Sequence, residues 1–393
     1  MAMKTVHDVY RAGLCNSCGL CVGVCPKNAI EYKYTVEGLL KPVVDKKKCV
    51  DCTACVRYCP GNCYTEKAIR SNEKCHAVHS LNHETRYHGA SGGFVTELLC
   101  YLLENRYVDD CVVVPPIKDS LEVAPIITSD VTQIRKARGS KYIPVQYGKI
   151  LPDIKKSKKR FALVALPCQT EMLKEFLKNE SERIFIITLM CNHITGTTGT
   201  KMVLGQNRAG SNYSYEFRGN GWPGQVSVNG EIVGEYKKIY YGKFGSFFYP
   251  ERCRMCDRHI GVYGDVFVAD NYCWSEEDNA AGNTFVIYES ERMMSILDDM
   301  IHKKIIHAKL MNLDSDTVQK KQFSGIRSAE GFIPIILAAR KALHKVNPEG
   351  NERFHKPETS DIKNIAMYSS VMKQNMKSKL YSVYINRKYG EIK

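Results

Sequence analysis

Eight cysteines in the first sixty residues form two copies of one string. Cys15, Cys18, Cys21 and Cys25 precede Pro26, and Cys49, Cys52, Cys55 and Cys59 precede Pro60. CxxCxxCxxxCP is a ligand run for paired [4Fe–4S] cubanes, in which three thiolates of one string wrap one cluster and the fourth reaches its neighbour. The spacing predicts one cluster on Cys15, Cys18, Cys21 and Cys59, and a second on Cys49, Cys52, Cys55 and Cys25. Structural zinc asks for ligands in two pairs, and gives no reason for a third overlapping CxxC or for the proline after each fourth cysteine. The chemistry these residues suit is transfer of single electrons.

Four further cysteines stand where a third centre could form. Cys168 follows the apolar run Phe161–Leu166, Cys191 follows Ile184–Met190, and Cys253 and Cys256 form a CxxC within PERCRMCD. Chemistry in an open parallel sheet gathers beyond the carboxyl ends of the strands, so these loops are expected to meet at one rim and hold a third [4Fe–4S] cluster. The competing reading makes Cys168 and Cys191 small core residues and the CxxC a local redox pair. His193, two residues past Cys191, is the candidate acid or base of the same rim; a structural histidine is the alternative. Cys63, Cys75, Cys100, Cys111 and Cys273 lack ligand spacing. His76, His79, His83 and His88 match no metal signature and read as residues of a solvated loop.

Gly89, Ala90, Ser91, Gly92 and Gly93 open a helical run. Glycines let backbone amides approach a ligand, and a helix amino terminus favours phosphate. Arg138, Gly139, Ser140, Lys141 and Tyr142 add cations and a hydroxyl suited to phosphate or to a flavin ring, unless they are simply an exposed basic turn. Cubanes pass one electron at a time while most metabolites exchange hydrides, and a flavin commonly joins the two. FAD is the expected additional cofactor.

The elements that must position these groups follow from pattern and composition. Residues 1–65 read as a ferredoxin-type domain and the polar stretch 66–88 as a linker. Residues 89–310 alternate continuous apolar strands with helices, which implies a largely parallel sheet covered on both faces. A helix over Gly92–Arg106 would place Val95, Leu98, Leu99 and Leu102 on one face, and Glu171–Lys178 would be a second. Ser211–Phe248, rich in Gly, Tyr and Phe, reads as antiparallel strands. Residues 311–393 form a basic, partly helical extension. The fold class is therefore α+β followed by α/β: a small ferredoxin-like domain, an α/β flavin-binding domain with a mostly parallel sheet, and the extension.

No apolar run reaches the roughly 20 residues of a membrane span. Thiols kept for metal, without a charged start leading into an apolar signal segment, imply a reducing cytoplasm. Of the formal net charge of +14, about half lies from Arg340 onward, where 12 Lys and Arg face 5 Asp and Glu. Such a surface suits an acidic ferredoxin-like or other redox protein, or an anionic small molecule. With no nucleic-acid motif beside it, nucleic acid is an unlikely partner.

Taken together, the doubled cysteine string, GASGGFVTELL, RGSKY, ALPCQ, Cys191, CRMCD, GDVFVADNYCW and NTFVIYES resemble the family of coenzyme F420 hydrogenase/dehydrogenase beta subunits over about residues 10–300. The resemblance implies an FAD-containing iron–sulfur protein passing electrons between clusters and a small-molecule substrate. It implies flavin contacts from Ser91, Gly92, Gly93, Ser140 and Lys141, and cluster ligation by Cys168, Cys191, Cys253 and Cys256. The segment holding Asp270 and Trp274 resembles the family's GDxWG stretch, but Asn271, Tyr272 and Cys273 replace its small residues, which leaves the substrate open. Coenzyme F420 or a metabolite of surface-polysaccharide assembly would fit a complete enzyme; a non-catalytic electron-transfer subunit of a larger complex is the alternative.

Overall fold

A computed structural model describes residues 3–64, 73–244, 247–259, 264–274, 279–324, 330–354 and 361–390. The first part is a ferredoxin-type unit: a hairpin of β1 (Ile30–Tyr34) and β2 (Leu40–Val44), and the four-residue helices Cys21–Val24 and Ala54–Arg57, one per cysteine string. Both strings turn in the same way. Ser17 and Gly19 in the first, and Asp51 and Thr53 in the second, hold φ of 59°, 72°, 51° and 58°. Left-handed residues at matching offsets curl each loop.

The remaining strands are β3 (Lys74–Ser80), β4 (Asp110–Val113), β5 (Ile117–Lys118), β6 (Ile126–Thr128), β7 (Phe161–Ala165), β8 (Ile184–Leu189), β9 (Ser214–Glu216), β10 (Gln225–Val228), β11 (Glu231–Glu235), β12 (Val266–Asp270), β13 (Thr284–Tyr288) and β14 (Ile306–Met311). Eight of them form one sheet in the order β14-β3-β13-β12-β8-β7-β4-β6, and β11-β10-β9-β5 form a smaller antiparallel sheet. In the large sheet β4, β7, β8 and β12 run parallel. β13, β3 and β14 on one side and β6 on the other join antiparallel. The sheet is therefore mixed, parallel at its centre and antiparallel at its margins, rather than mostly parallel.

Two expectations change for physical reasons. Part of the presumed linker is β3, which pairs with β13 and β14. It reads as polar because His76 and His79, one on each face of the strand, interrupt the buried Cys75, Ala77, Val78 and Ser80. His79 Nδ1 lies 2.9 Å from Asn283 Oδ1 and its ring stacks on His307, so these histidines sit in the sheet rather than in a solvated loop. The basic extension is not a solvated tail either. Its helix Ile333–Ala342 buries Ile333, Ile336, Leu337 and Ala339, together with Tyr368, against Val6, Val9 and Leu14 of the ferredoxin-type unit.

The central strands are apolar throughout because both faces are covered. Phe185 and Ile187 of β8 pack with Leu98 and Leu102 of the Phe94–Glu104 helix and with Met293 and Leu297 of the Glu291–His302 helix. Ile184 and Ile186 pack on the opposite face with Leu151, Ile154 and Leu173. Each such side chain contributes roughly 1.5–3 kcal/mol of burial. Among the described residues no helix is long and apolar enough to cross a membrane.

Candidate functional site

The parallel strands β4, β7, β8 and β12 end together at a cavity of about 300 Å³, reached by Val113, Ala165, Leu189 and Asp270. Its walls also carry Ser91, Gly93, Arg138, Ser140, Lys141, Cys191 and His193, so segments far apart in the sequence meet at one site. This is the carboxyl-end crevice of an open sheet.

Cys168 lies in the first turn of the Pro167–Phe176 helix that follows β7, and Cys191 comes two residues after β8. Cys253 is in the Glu251–Met255 turn and Cys256 directly after it. Burial pushes the Cys168 and Cys253 thiols up to about 12 and Cys191 well above the usual range, and Cys191 is pushed further by Cys168, Cys253 and Cys256. Thiols that raise one another in this way sit close together. The same signature groups the N-terminal cysteines. Besides its burial, Cys18 feels Cys59, Cys21 and Cys15, while Cys55 feels Cys25, Cys49 and Cys52. Cys18 also feels Cys168 and Cys21 feels Cys55, so these interactions record proximity between the groups as well as within them.

Hydrogen bonding at sulfur differs among the cysteines. Backbone N–H groups of Ser17, Ala29 and Arg258 donate to the sulfurs of Cys15, Cys25 and Cys256 at 3.5, 3.3 and 3.4 Å. Cys111 and Cys273 instead donate, to Leu99 O and Gln322 Oε1, as neutral core thiols do. Cys49 departs from the pattern, its sulfur lying 3.7 Å from Asp51 Oδ1 at the exposed end. Without a metal centre, buried thiols that oppose one another's ionisation stay protonated; iron bound among them would supply the positive charge that thiolates require. Among the described residues no three His, Cys, Asp or Glu are gathered as ligands of a single ion. A cubane, with irons and sulfides between its thiolates, asks for a wider ring than a tetrahedral zinc site does.

The three thiol groups follow one another in space. Cys55 neighbours Cys21, Cys18 neighbours Cys168, and Cys191 lines the cavity. Their contact is built from both sides. Gln169 accepts from Leu166 N and donates to Cys18 O at 2.8 Å, tying the first cysteine loop to the end of β7. Buried Arg252 donates to Gly61 O and Cys63 O, and Arg258 pairs with Glu171 at 2.7 Å while donating to Cys63 O. At Gly19 and Gly61 a side chain would collide with Val145 O and Leu14 O, so glycine permits the close approach.

Around the cavity some expected contacts are rearranged. Gly92 and Gly93 hold φ of 68° and 75°, but the space a side chain would need is taken by Asn283 and Thr284 and by the Thr85 carbonyl. Their backbones serve packing against β13 and the preceding helix. Gly93 lines the cavity, whereas Gly92 is not among its walls. Lys141 is partly buried and its Nζ donates to the carbonyls of Ala137, Arg138 and Gly139, capping the Val131–Lys136 helix; removal from solvent pushes it down to about 7. Arg138, on the same wall, forms no side-chain hydrogen bond or ion pair among the described residues. His193 stacks on Tyr249 at 4.3 Å, and burial, with Arg254 and His259 nearby, lowers it to about 4. These surroundings favour the neutral imidazole.

Spacing in the sequence does not reveal the opposite wall. Buried Arg218 pairs with Asp270 at 2.8 Å, donates to Tyr142 Oη at 3.3 Å and lies over the Tyr236 ring at 4.8 Å. Tyr272 donates to Asp270 as well. The signal available is the Gly- and aromatic-rich run around FRGNGWPG, which is weak because such runs serve turns of every kind. With Tyr240 and Tyr241, whose rings stand tilted or edge-on to those of Tyr142 and Tyr236, these groups line the cavity with aromatic rings.

Models of coenzyme F420 hydrogenase/dehydrogenase beta subunits match the chain over residues 75–152 for the N-terminal part and 158–313 for the C-terminal part, and a 4Fe-4S dicluster domain matches 14–63. One component of the F(420)H(2) dehydrogenase of Methanosarcina mazei is 25% identical over 195 residues, covering 47% of this chain and 55% of that protein. The coenzyme F420-dependent sulfite reductase of Methanocaldococcus jannaschii is 24% identical over 170 residues, 43% of this chain and 26% of that protein. This chain thus spans about half of the first relative and about a quarter of the second. A chain of the xenon-derivatised F420-reducing [NiFe] hydrogenase complex from Methanosarcina barkeri shares the fold, with a TM-score of 0.53 at 13% identity over 74% of this chain and 100% of that one.

Proposed function

From the premise that the chain belongs to the family of coenzyme F420 hydrogenase/dehydrogenase beta subunits, we propose that it is an iron–sulfur flavoprotein oxidoreductase, relaying electrons between three [4Fe–4S] clusters and an FAD in the rim cavity to reduce or oxidise a small molecule. The observation that carries this reading is Cys191, which belongs both to the third thiol group and to the cavity wall. An electron arriving at the rim cluster would already be beside the cofactor site. The FAD, when bound, supplies the exchange between one-electron and hydride chemistry.

The residues fit such a group. The cavity offers an aromatic wall, the Ser91 and Ser140 hydroxyls, and Arg138 as a cation with no protein partner among the described residues. Lys141 holds the Arg138–Ser140 turn in place through its carbonyls and so acts as a positioning residue. The chain's own contribution is to exclude water from the thiols, orient the flavin between the glycine turn and the tyrosines, and present His193 as a neutral donor or acceptor. A redox protein such as a ferredoxin would exchange electrons at Cys49 and Cys52, the exposed end of the series.

A second reading, an electron-transfer subunit of a larger complex, is favoured by one finding: the M. mazei relative is, by name, one subunit of a dehydrogenase. Anaerobically purified protein should carry about twelve irons and one FAD. Reduced with dithionite and offered a deazaflavin or candidate metabolites, it should turn over alone if it is a complete enzyme. Electron uptake without turnover would assign it to a complex, and absence of flavin would overturn the reading.

A further inference from the structure

The Asp361–Lys388 helix presents two unlike apolar faces. One is spent on the body of the protein: Tyr368, Ser382 and Ile385 are buried, and Ser378 accepts from Phe248 N at 3.1 Å. The other is open to solvent. Met376, Leu380 and Tyr384 are 60, 66 and 53% exposed, with Met372 and Val383 beside them. At 100° per residue these five fall within an arc of about 120°, a continuous stripe along the outer side.

The charge around the stripe has one sign. From Ile362 to Gly390 the sequence contains no Asp or Glu, while Lys373, Lys377, Lys379, Arg387 and Lys388 lie on or beside the exposed face. Lys388 rests over the Tyr384 ring at 5.8 Å, a basic head on an aromatic stem. A stripe of Met, Leu, Val and Tyr rimmed by long cations fits the interface of a lipid leaflet, with apolar side chains in the acyl boundary and ammonium groups at the phosphates. A second copy of this helix would set cation against cation. The convex side of a lone helix also has no pocket to select the side chains of a protein partner.

We propose that the Asp361–Lys388 helix docks the protein on an anionic lipid surface, lying parallel to it without spanning it. The proposal is independent of the redox reading, since the helix lies beyond the residues that the family models cover.

The test is co-sedimentation of the full-length holoprotein with vesicles of phosphatidylcholine alone or with 30% phosphatidylglycerol. Binding should need the anionic lipid and weaken as salt rises. M376E/L380E and K373E/K377E should each lower the partition coefficient about tenfold or more, with iron content and helical circular dichroism unchanged because these side chains are exposed. Equal binding to neutral vesicles, or anionic binding that M376E/L380E leaves intact, would overturn the proposal. No vesicle binding combined with salt-sensitive binding to polyglutamate would overturn it in favour of an acidic protein partner.

Discussion

Cys253 would report on the proposed third centre, because its thiol interacts with Cys256, Cys191 and Cys168, and of the N-terminal cysteines only Cys15 is among its named neighbours. Cys253→Ser should lower iron from about twelve to about eight per chain, leaving the paired N-terminal clusters and their low-temperature EPR signal. Iron unchanged by the substitution would remove the rim cluster. Arg218 makes a different prediction. It is buried, and its carboxylate partner Asp270 is largely so. Arg218→Met strands a buried charge and should cost about 3–5 kcal/mol, read as a fall in the thermal midpoint under anaerobic conditions. The double variant with Asp270→Asn should recover much of it. These two sites also mark what is legible in the sequence. Cysteine ligation is written in short covalent spacings, so Cys15 to Cys59 can be grouped by counting. Arg218 meets Asp270 only after β9 to β11 fold back against the end of β12, and no local pattern encodes that meeting.

At the scale of elements, the chain's most apolar segments are the easiest to read. The Phe94–Glu104 helix and strands β7 and β8 are apolar on every side the sheet covers, so periodicity and composition agree. β3 is hidden because its buried residues are small, a histidine interrupts each of its faces, and its neighbours β13 and β14 come from the far end of the domain. The glycine turn is visible in the sequence, but its purpose is not. Gly92 and Gly93 are needed where the turn presses on β13 and on the Thr85 carbonyl, and the helix start they allow then borders the cavity. Gly92→Ala adds a side chain at φ 68° with its Cβ 2.9 Å from Asn283 Cα. It should destabilise by about 1–3 kcal/mol and also loosen the flavin. Released FAD after gel filtration should rise in step with the fall in melting temperature. A loss of stability with full flavin retention would show that the turn supports the sheet alone.

For the molecule as a whole, the chain's two ends close on each other through one side chain. Arg340, fully buried in the Ile333–Ala342 helix, pairs with Glu251 and donates to Ala12 O at 2.7 Å, while Tyr368 also donates to Glu251. Glu251 opens the turn that carries Cys253. The extension is thus connected to the rim thiols by a short path of buried polar contacts, which its composition conceals: a basic stretch reads as solvated until its apolar residues at helical spacing find Val6, Val9 and Leu14. Replacing Arg340 with Met keeps the volume but leaves the Glu251 carboxylate facing an apolar wall, with Tyr368 as its remaining donor there. The cost expected for a broken buried pair is about 3–5 kcal/mol. It should fall on two regions at once, as faster proteolysis of the C-terminal helices and as iron lost from the rim before the N-terminal clusters. Lys341→Met, one position away and exposed, is the control that should change neither. If Arg340→Met sheds the C-terminal helices while all three clusters persist, the rim is held by Arg252 and Arg258 alone, and the extension serves the surface rather than the electron path.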